Sequence, residues 1–361
     1  MNIVFDKNKT PTEMALLPSC GKVYSKEHPF HNLSYIPIKT MTIADEEILL
    51  NVAFAKMGIT TMQLLKSCIC LPNIDFINES NVLAGDIAAL LYSLRINSYG
   101  RIYDPTIKCP SCDVQNQLSI DMASFPVNTL DLIPINNNQN LFVFEMPSGK
   151  SIIEYSFLTF SEAEELAKML NDSEDFVDEF FLADGKDVIS SVKTNTYVTS
   201  TLMKLIKSVN GNTSRSVISK YVKSMRIGDS MRFRNFVKDT EPNIRPNVSF
   251  VCKNECGYEA SIPLAMNHSI FGIKPEHKVE VLLEPHFILT YYSGFSFEEY
   301  RNYPVAYKKF YIDRMNEEIS KAQKAQSDIP TKAPHHNGQE VRTLTGKVNT
   351  NTTNSKLQRF T

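Results

Sequence analysis

Two cysteine pairs, Cys109-Pro-Ser-Cys112 and Cys252-Lys-Asn-Glu-Cys256, constrain this chain more than any other feature, because residues 113–251 stand between them. Each pair has the spacing with which a short turn presents two sulfurs to one ion. Pro110 stiffens the first turn, and Gly257 gives the second a backbone conformation that other residues avoid. Shared by one ion, the pairs would fold distant stretches onto each other. The expectation is a structural zinc held by Cys109, Cys112, Cys252 and Cys256. Four thiolates leave no open coordination position, so such a site holds a fold and does not catalyse. Reduced, buried thiols without metal and a disulfide or redox pair are the alternatives. Seven cysteines, an odd number, fit metal or free thiol better than a secreted disulfide framework. Cys20, Cys68 and Cys70 read as small hydrophobes near a helix end.

A chain of 361 residues with 42% hydrophobic content has enough apolar surface for a buried core. Its longest apolar run, Leu83 to Leu94, is broken by Gly85 and Asp86 and falls short of the ~20 residues of a membrane span. Charged residues interrupt the first fifteen positions, so no signal peptide is expected and folding in a reducing cytoplasm is. The formal charge of −2 argues against a dedicated nucleic-acid binder. Residues 321–361 carry seven Lys/Arg against two acidic groups, are poor in aromatics, and read as a disordered polar tail.

Along the chain, Leu33 to Ile38 alternates as a strand, and Thr42-Ile-Ala-Asp45 is a capping box for a helix to about Met57. Thr60 to Gln63 reads as a second box, opening a helix through Ser67. A third helix starts at Leu83-Ala-Gly-Asp86, apolar on most sides through Leu94, with Arg95 and Asn97 marking its exit. Strands lead into and out of each cysteine pair, the layout of a zinc-ribbon half. Between the pairs, short strands around 141–144 and 151–155 give way to helices, the first behind Ser161-Glu-Ala-Glu164. An acidic cluster at 172–187 precedes a basic one at 215–238. Helices follow at about 278–292, after Ser296-Phe-Glu-Glu299, and from Val305 to about Gln326, the last with Tyr307, Phe310, Tyr311 and Met315 on one stripe.

The predicted fold class is therefore α+β: a mainly helical body with a small zinc-ribbon-like β element and an inserted helical domain. The expected divisions are residues 1–125 with the first knuckle, 126–245 as the insertion, 246–320 with the second knuckle and closing helices, and 321–361 as tail. A long insertion costs little closure entropy when its anchors are fixed.

Several stretches, in this order, carry a family resemblance: Leu17-Pro-Ser19, Ile36-Pro-Ile-Lys-Thr-Met41, Asp45-Glu-Glu-Ile-Leu49 and Leu64-Leu65-Lys-Ser-Cys68-Ile69. The most specific is Leu83-Ala-Gly-Asp86 running into Leu94-Arg95-Ile-Asn-Ser-Tyr99-Gly100 and Tyr103, and Cys109-Pro-Ser-Cys112 completes the series. Over residues 14–125 the chain resembles the baseplate hub proteins of T-even-type contractile-tail bacteriophages. Phe287-Ile-Leu-Thr-Tyr291, Gly294-Phe-Ser296 and Tyr303-Pro304 are similar, less specifically, to closing helices of related tail proteins. Residues 126–245 match nothing of this kind. The resemblance implies a structural or assembly component of the hub, with other hub proteins as partners, found in the host cytoplasm during assembly and in the virion tail baseplate if retained. It does not imply an enzyme. No phosphate loop, Gly-x-Ser-x-Gly elbow or His-Glu-x-x-His occurs, and His28, His31, His277 and His286 sit in no catalytic motif. The alternative is a zinc-ribbon nucleic-acid-binding protein using the basic segment 215–238, where Phe233 and Phe236 interleave with Arg232, Arg234 and Lys238.

Overall fold

The computed structural model describes residues 12–149, 151–171, 192–254, 256–264 and 267–327. The acidic cluster at 172–187 and the polar tail from 328 onward lie outside the described residues. The chain opens with β1 (Thr12–Leu16) antiparallel to β2 (Tyr35–Lys39), Leu16 facing Tyr35. The loop between them turns at Gly21, where φ is +68° and a Cβ would fall 2.3 Å from the Phe30 carbonyl oxygen. Only glycine fits there.

The helix expected from Thr42 to Met57 is two helices, α1 (Ile43–Leu49) and α2 (Val52–Met57). Asn51 makes the break: its side-chain oxygen accepts the N–H groups of Ala53 at 2.9 Å and Phe54 at 3.2 Å, so it caps a new helix. The Thr42–Asp45 box forms, with the Thr42 N–H donating to the Asp45 carboxylate at 2.8 Å. The one expected at Thr60–Gln63 does not. α3 (Thr60–Cys68) has Ile59 in the cap position without a side-chain bond, and Thr60 is buried.

α4 (Ala84–Tyr99) is the central helix, with Ile87, Ala88, Leu90, Leu91, Tyr92 and Leu94 all buried. It continues past the expected exit at Arg95 and Asn97 to Tyr99, and Arg95 lies over the rings of Tyr99 and Tyr103, 4.7 and 5.4 Å from their centroids. Short strands follow. β3 (Ile102–Tyr103) encloses β4 (Thr106–Lys108) and β5 (Gln115–Gln117) and pairs with β6 (Ile120–Asp121).

β7 (Val127–Asn128) begins the stretch between the knuckles. Next come β8 (Phe142–Glu145), β9 (Ile152–Tyr155), α5 (Phe160–Asn171), α6 (Val192–Leu205), β10 (Ile206–Val209), α7 (Arg215–Ser224), α8 (Ile227–Thr240) and β11 (Asn243–Ile244). β11 pairs with β7, so this long excursion returns to where it left. Its sheet runs β10–β9–β8. β10 escapes a periodicity reading because it follows α6 without a break. The box at the start of α5 lies two residues earlier than Ser161–Glu164, with the Thr159 N–H donating to Glu162 at 3.1 Å. Phe142, Tyr155, Phe157 and Phe233 from this stretch belong to the same apolar core as Leu17, Ile38, Leu65 and Leu91.

After β12 (Asn247–Val251) and β13 (Glu259–Pro263), a π-helical turn at Val279–Leu283 runs into α9 (Glu284–Ser293). α10 (Phe297–Arg301) has the expected Ser296–Glu299 box, and α11 (Val305–Ser327) ends the described chain. This closing part is stitched to α1. The Ile43 N–H donates to the Tyr303 carbonyl at 3.1 Å and the Val305 N–H to the Met41 carbonyl at 2.8 Å. Glu46, 1% exposed, pairs with Lys308 and accepts the Tyr99 hydroxyl at 2.7 Å. Of the stripe on α11, Met315 packs on the core, whereas Tyr307, Phe310 and Tyr311 are exposed. The architecture is mixed α+β, helices around α4 with several small antiparallel sheets.

Candidate metal centre

Two hairpins carry the cysteines. In the first, β4 and β5 pair Lys108 with Gln115, and the turn closes through the Cys109 N–H to the Val114 carbonyl and the Asp113 N–H to the Cys109 carbonyl, both 2.9 Å. Asp113 takes the left-handed conformation at φ 59°. In the second, β12 and β13 pair Val251 with Glu259, the Cys252 N–H donates to the Tyr258 carbonyl at 3.0 Å, and Gly257 has the expected positive φ of 72°. Each sequence thus places a turn-former directly after its cysteine pair.

The hairpins meet. The sulfurs of Cys109, Cys112, Cys252 and Cys256 all lie within 4.8 Å of one another. Cys109 Sγ is 3.7 Å from Cys256 Sγ, and Cys112 Sγ is 3.6 Å from Cys252 Sγ. Disulfide sulfurs stand about 2.0 Å apart. Zinc–sulfur bonds of about 2.3 Å put the corners of a tetrahedron about 3.8 Å apart. The observed separations match the second figure, so this donor set fits a four-coordinate thiophilic ion.

A small apolar cluster, separate from the main core, backs the sulfurs: Phe250, Cys109 and Cys252 are buried, with Ile107, Leu118, Tyr258 and Ile262 against them. Asn116 is the member that sequence spacing did not reveal. It is 1% exposed, its Oδ1 accepts the Lys253 N–H at 2.8 Å, and its Nδ2 donates to the Val114 carbonyl at 2.9 Å and faces Cys252 Sγ at 3.7 Å. Lys253 Nζ donates to the Gln117 carbonyl at 3.0 Å. The Val114 amide, foremost, and then the neighbouring thiols bring the Cys112 thiol down to about 7, toward the thiolate that binds metal.

The other singled-out groups have packing roles. His28 stacks on Tyr24 at 4.3 Å, and its Nδ1 accepts the Phe30 N–H. His286 stacks on Tyr300 at 4.9 Å. His277 accepts the Lys274 N–H, and the tautomer of His31 carries a contact to the Tyr24 carbonyl. Cys68 is fully buried at the end of α3, and burial pushes its thiol up. In the basic segment, Phe233 is wholly buried, which closes its ring to base stacking, and Phe236 is half-buried against Phe144 with ring centroids 4.7 Å apart. Among the described residues, no helix is long and apolar enough to cross a membrane.

Fold and site together define a mixed α+β protein whose two distant hairpins converge on four thiols. The family described as "T4 bacteriophage base plate protein" matches residues 17–272, more than half of the chain, and the chain belongs to that family. Its match takes in all four cysteines and α4, and it spans residues 126–245, where no resemblance was read from the sequence. No curated protein and no solved structure matches.

Proposed function

We propose that this protein is a structural or assembly component of the baseplate hub in a contractile phage tail, and that a structural zinc ion on Cys109, Cys112, Cys252 and Cys256 holds its two hairpins together. Membership of the baseplate family carries the first half, and the four convergent sulfurs carry the second. The ion would supply no reaction; with four thiolates around it there is no position for a substrate. Its contribution is placement. By fixing the hairpin of β4 and β5 against that of β12 and β13, it holds the two ends of the excursion from β7 to β11 in register. The surfaces so placed meet other hub proteins, in the host cytoplasm during assembly and in the tail baseplate of the virion.

Two measurements test the reading. Mass spectrometry of purified virions beside infected-cell lysate should find the chain in baseplates or their precursors; a chain found in neither sinks the hub assignment. Atomic emission on purified protein should find one zinc per chain, lost in Cys109→Ser and Cys252→Ser together with a fall in melting temperature. Metal-free protein that melts as those variants do removes the zinc.

A further inference from the structure

The corner between α7 and α8 carries a surface that the hub assignment does not explain. Lys220, Lys223 and Arg226 are exposed there and Arg232 and Lys238 further along α8, and none of them forms an ion pair among the described residues. Next to Arg226 stands Ile227, 80% exposed, and a turn further on Met231, 51% exposed, on a helix whose acidic groups are Asp229, half-buried, and Asp239, exposed. They are four residues apart on α8 and therefore neighbours on one face. The adjoining face, Ser230, Phe233 and Val237, is buried. The helix is thus fixed by its buried stripe and leaves beside it an exposed apolar pair with Arg226 and, a turn or more away, Arg232 and Lys238.

We propose that this face docks an acidic segment of another baseplate protein, one whose apolar side chains cover Ile227 and Met231 while its carboxylates meet the surrounding lysines and arginines. Charge complementarity names the partner's sign, and the apolar pair names its class. A phosphate backbone would leave Ile227 and Met231 facing water, and the phenylalanines that could stack on bases are turned inward. An interface needs an apolar centre with a charged rim, which is the arrangement here. The proposal rests on the reading of the chain as a hub component.

The test treats baseplate intermediates from infected cells with a carbodiimide, which joins lysine amines to carboxylates without a spacer, and maps the joined peptides by mass spectrometry. The expected result is Lys220, Lys223 or Lys238 coupled to Asp or Glu of another baseplate protein, in a segment with apolar residues within one helical turn. The variant Arg226→Glu/Ile227→Asp/Arg232→Glu should lower that yield roughly tenfold, with an unchanged melting temperature. A second variant, Ile227→Asp/Met231→Asp, which keeps every lysine, should do the same if the first fails to fold. Coupling only to the chain's own residues 172–187, or no coupling at these lysines, overturns the proposal. So does binding of duplex or single-stranded oligonucleotides by the full chain that falls steeply with salt and is lost in the variant. Cross-links to baseplate proteins from other lysines alone, such as Lys309, would sink this face and leave the hub reading standing. Absence of the chain from the intermediates would sink both.

Discussion

The side-chain oxygen of Asn116 accepts the backbone N–H of Lys253 at 2.8 Å, so one amide joins two hairpins whose positions in the chain differ by 137. The same side chain turns its Nδ2 toward Cys252 Sγ at 3.7 Å. Groups that hydrogen-bond a metal ligand orient it and tune its basicity. Asn116→Ala should therefore loosen the proposed zinc about 10–100-fold, the usual effect of losing such a partner, as read by competition with a chromophoric chelator. Affinity equal to that of the unaltered protein would show that the amide serves only the hairpin contact.

Gly85 is a helix residue without room for a methyl group. A Cβ there would lie 2.0 Å from the Pro242 carbonyl oxygen and 3.0 Å from Asn243 Cα, where α4 meets the start of β11. Alanine ordinarily gains about 1 kcal/mol over glycine inside a helix. Here the backbone must move, and overpacking costs about 1–3 kcal/mol or more. Gly85→Ala should lower stability in urea unfolding; a rise would mean that β11 yields freely.

Lys308 tests the seam between α11 and α1. Its side chain is 12% exposed and pairs with Glu46, whose side chain is 1% exposed. Lys308→Met would leave that carboxylate with the Tyr99 hydroxyl and no cation. Removing one member of a buried pair costs about 3–5 kcal/mol. Thermal unfolding should show it, and the double variant with Glu46→Gln should recover much of the loss. Equal losses in single and double variants would argue against a direct coupling.

Asp86 sets a pH dependence. Fully buried, it accepts the Ser19 N–H at 2.9 Å and the Tyr24 hydroxyl, and burial raises its carboxyl to about 6. The unfolded value is near 3.9, so the native state holds the proton more tightly between these limits. The contribution of Asp86 is fully present below about pH 4 and is lost as pH rises through about 6. Relative to the natural protein, Asp86→Asn should gain about 2–3 kcal/mol between pH 4 and pH 7. Urea titrations at both pH values, giving the same difference between the two proteins, would overturn this.

Much of the site was legible because its chemistry is written locally. A cysteine pair, a turn-former and flanking strands occupy adjacent positions, and Asp113, Gly257 and the hairpins sit beside the sulfurs they position. Asn116 was not legible, since nothing in its neighbours signals a hydrogen bond to Lys253. Helix starts were readable from caps, as at Ser296–Glu299. Asp45, Glu46 and Glu47 are adjacent carboxylates in α1. Only Asp45 caps; Glu46 meets Lys308 and Glu47 meets Arg301, partners brought in by tertiary structure. The break at Asn51 was missed because its helix period continues across a residue that caps better than it propagates.

The separation of the two hairpins along the chain also imposes an order on their making. At bacterial elongation rates of about 5–20 residues per second, the ribosome delivers Cys252 roughly 7–28 s after Cys112. Throughout that interval the nascent polypeptide carries only half of the thiol quartet. Completion of the quartet therefore marks the moment when the stretch from β7 to β11 has been synthesised and folded back on itself.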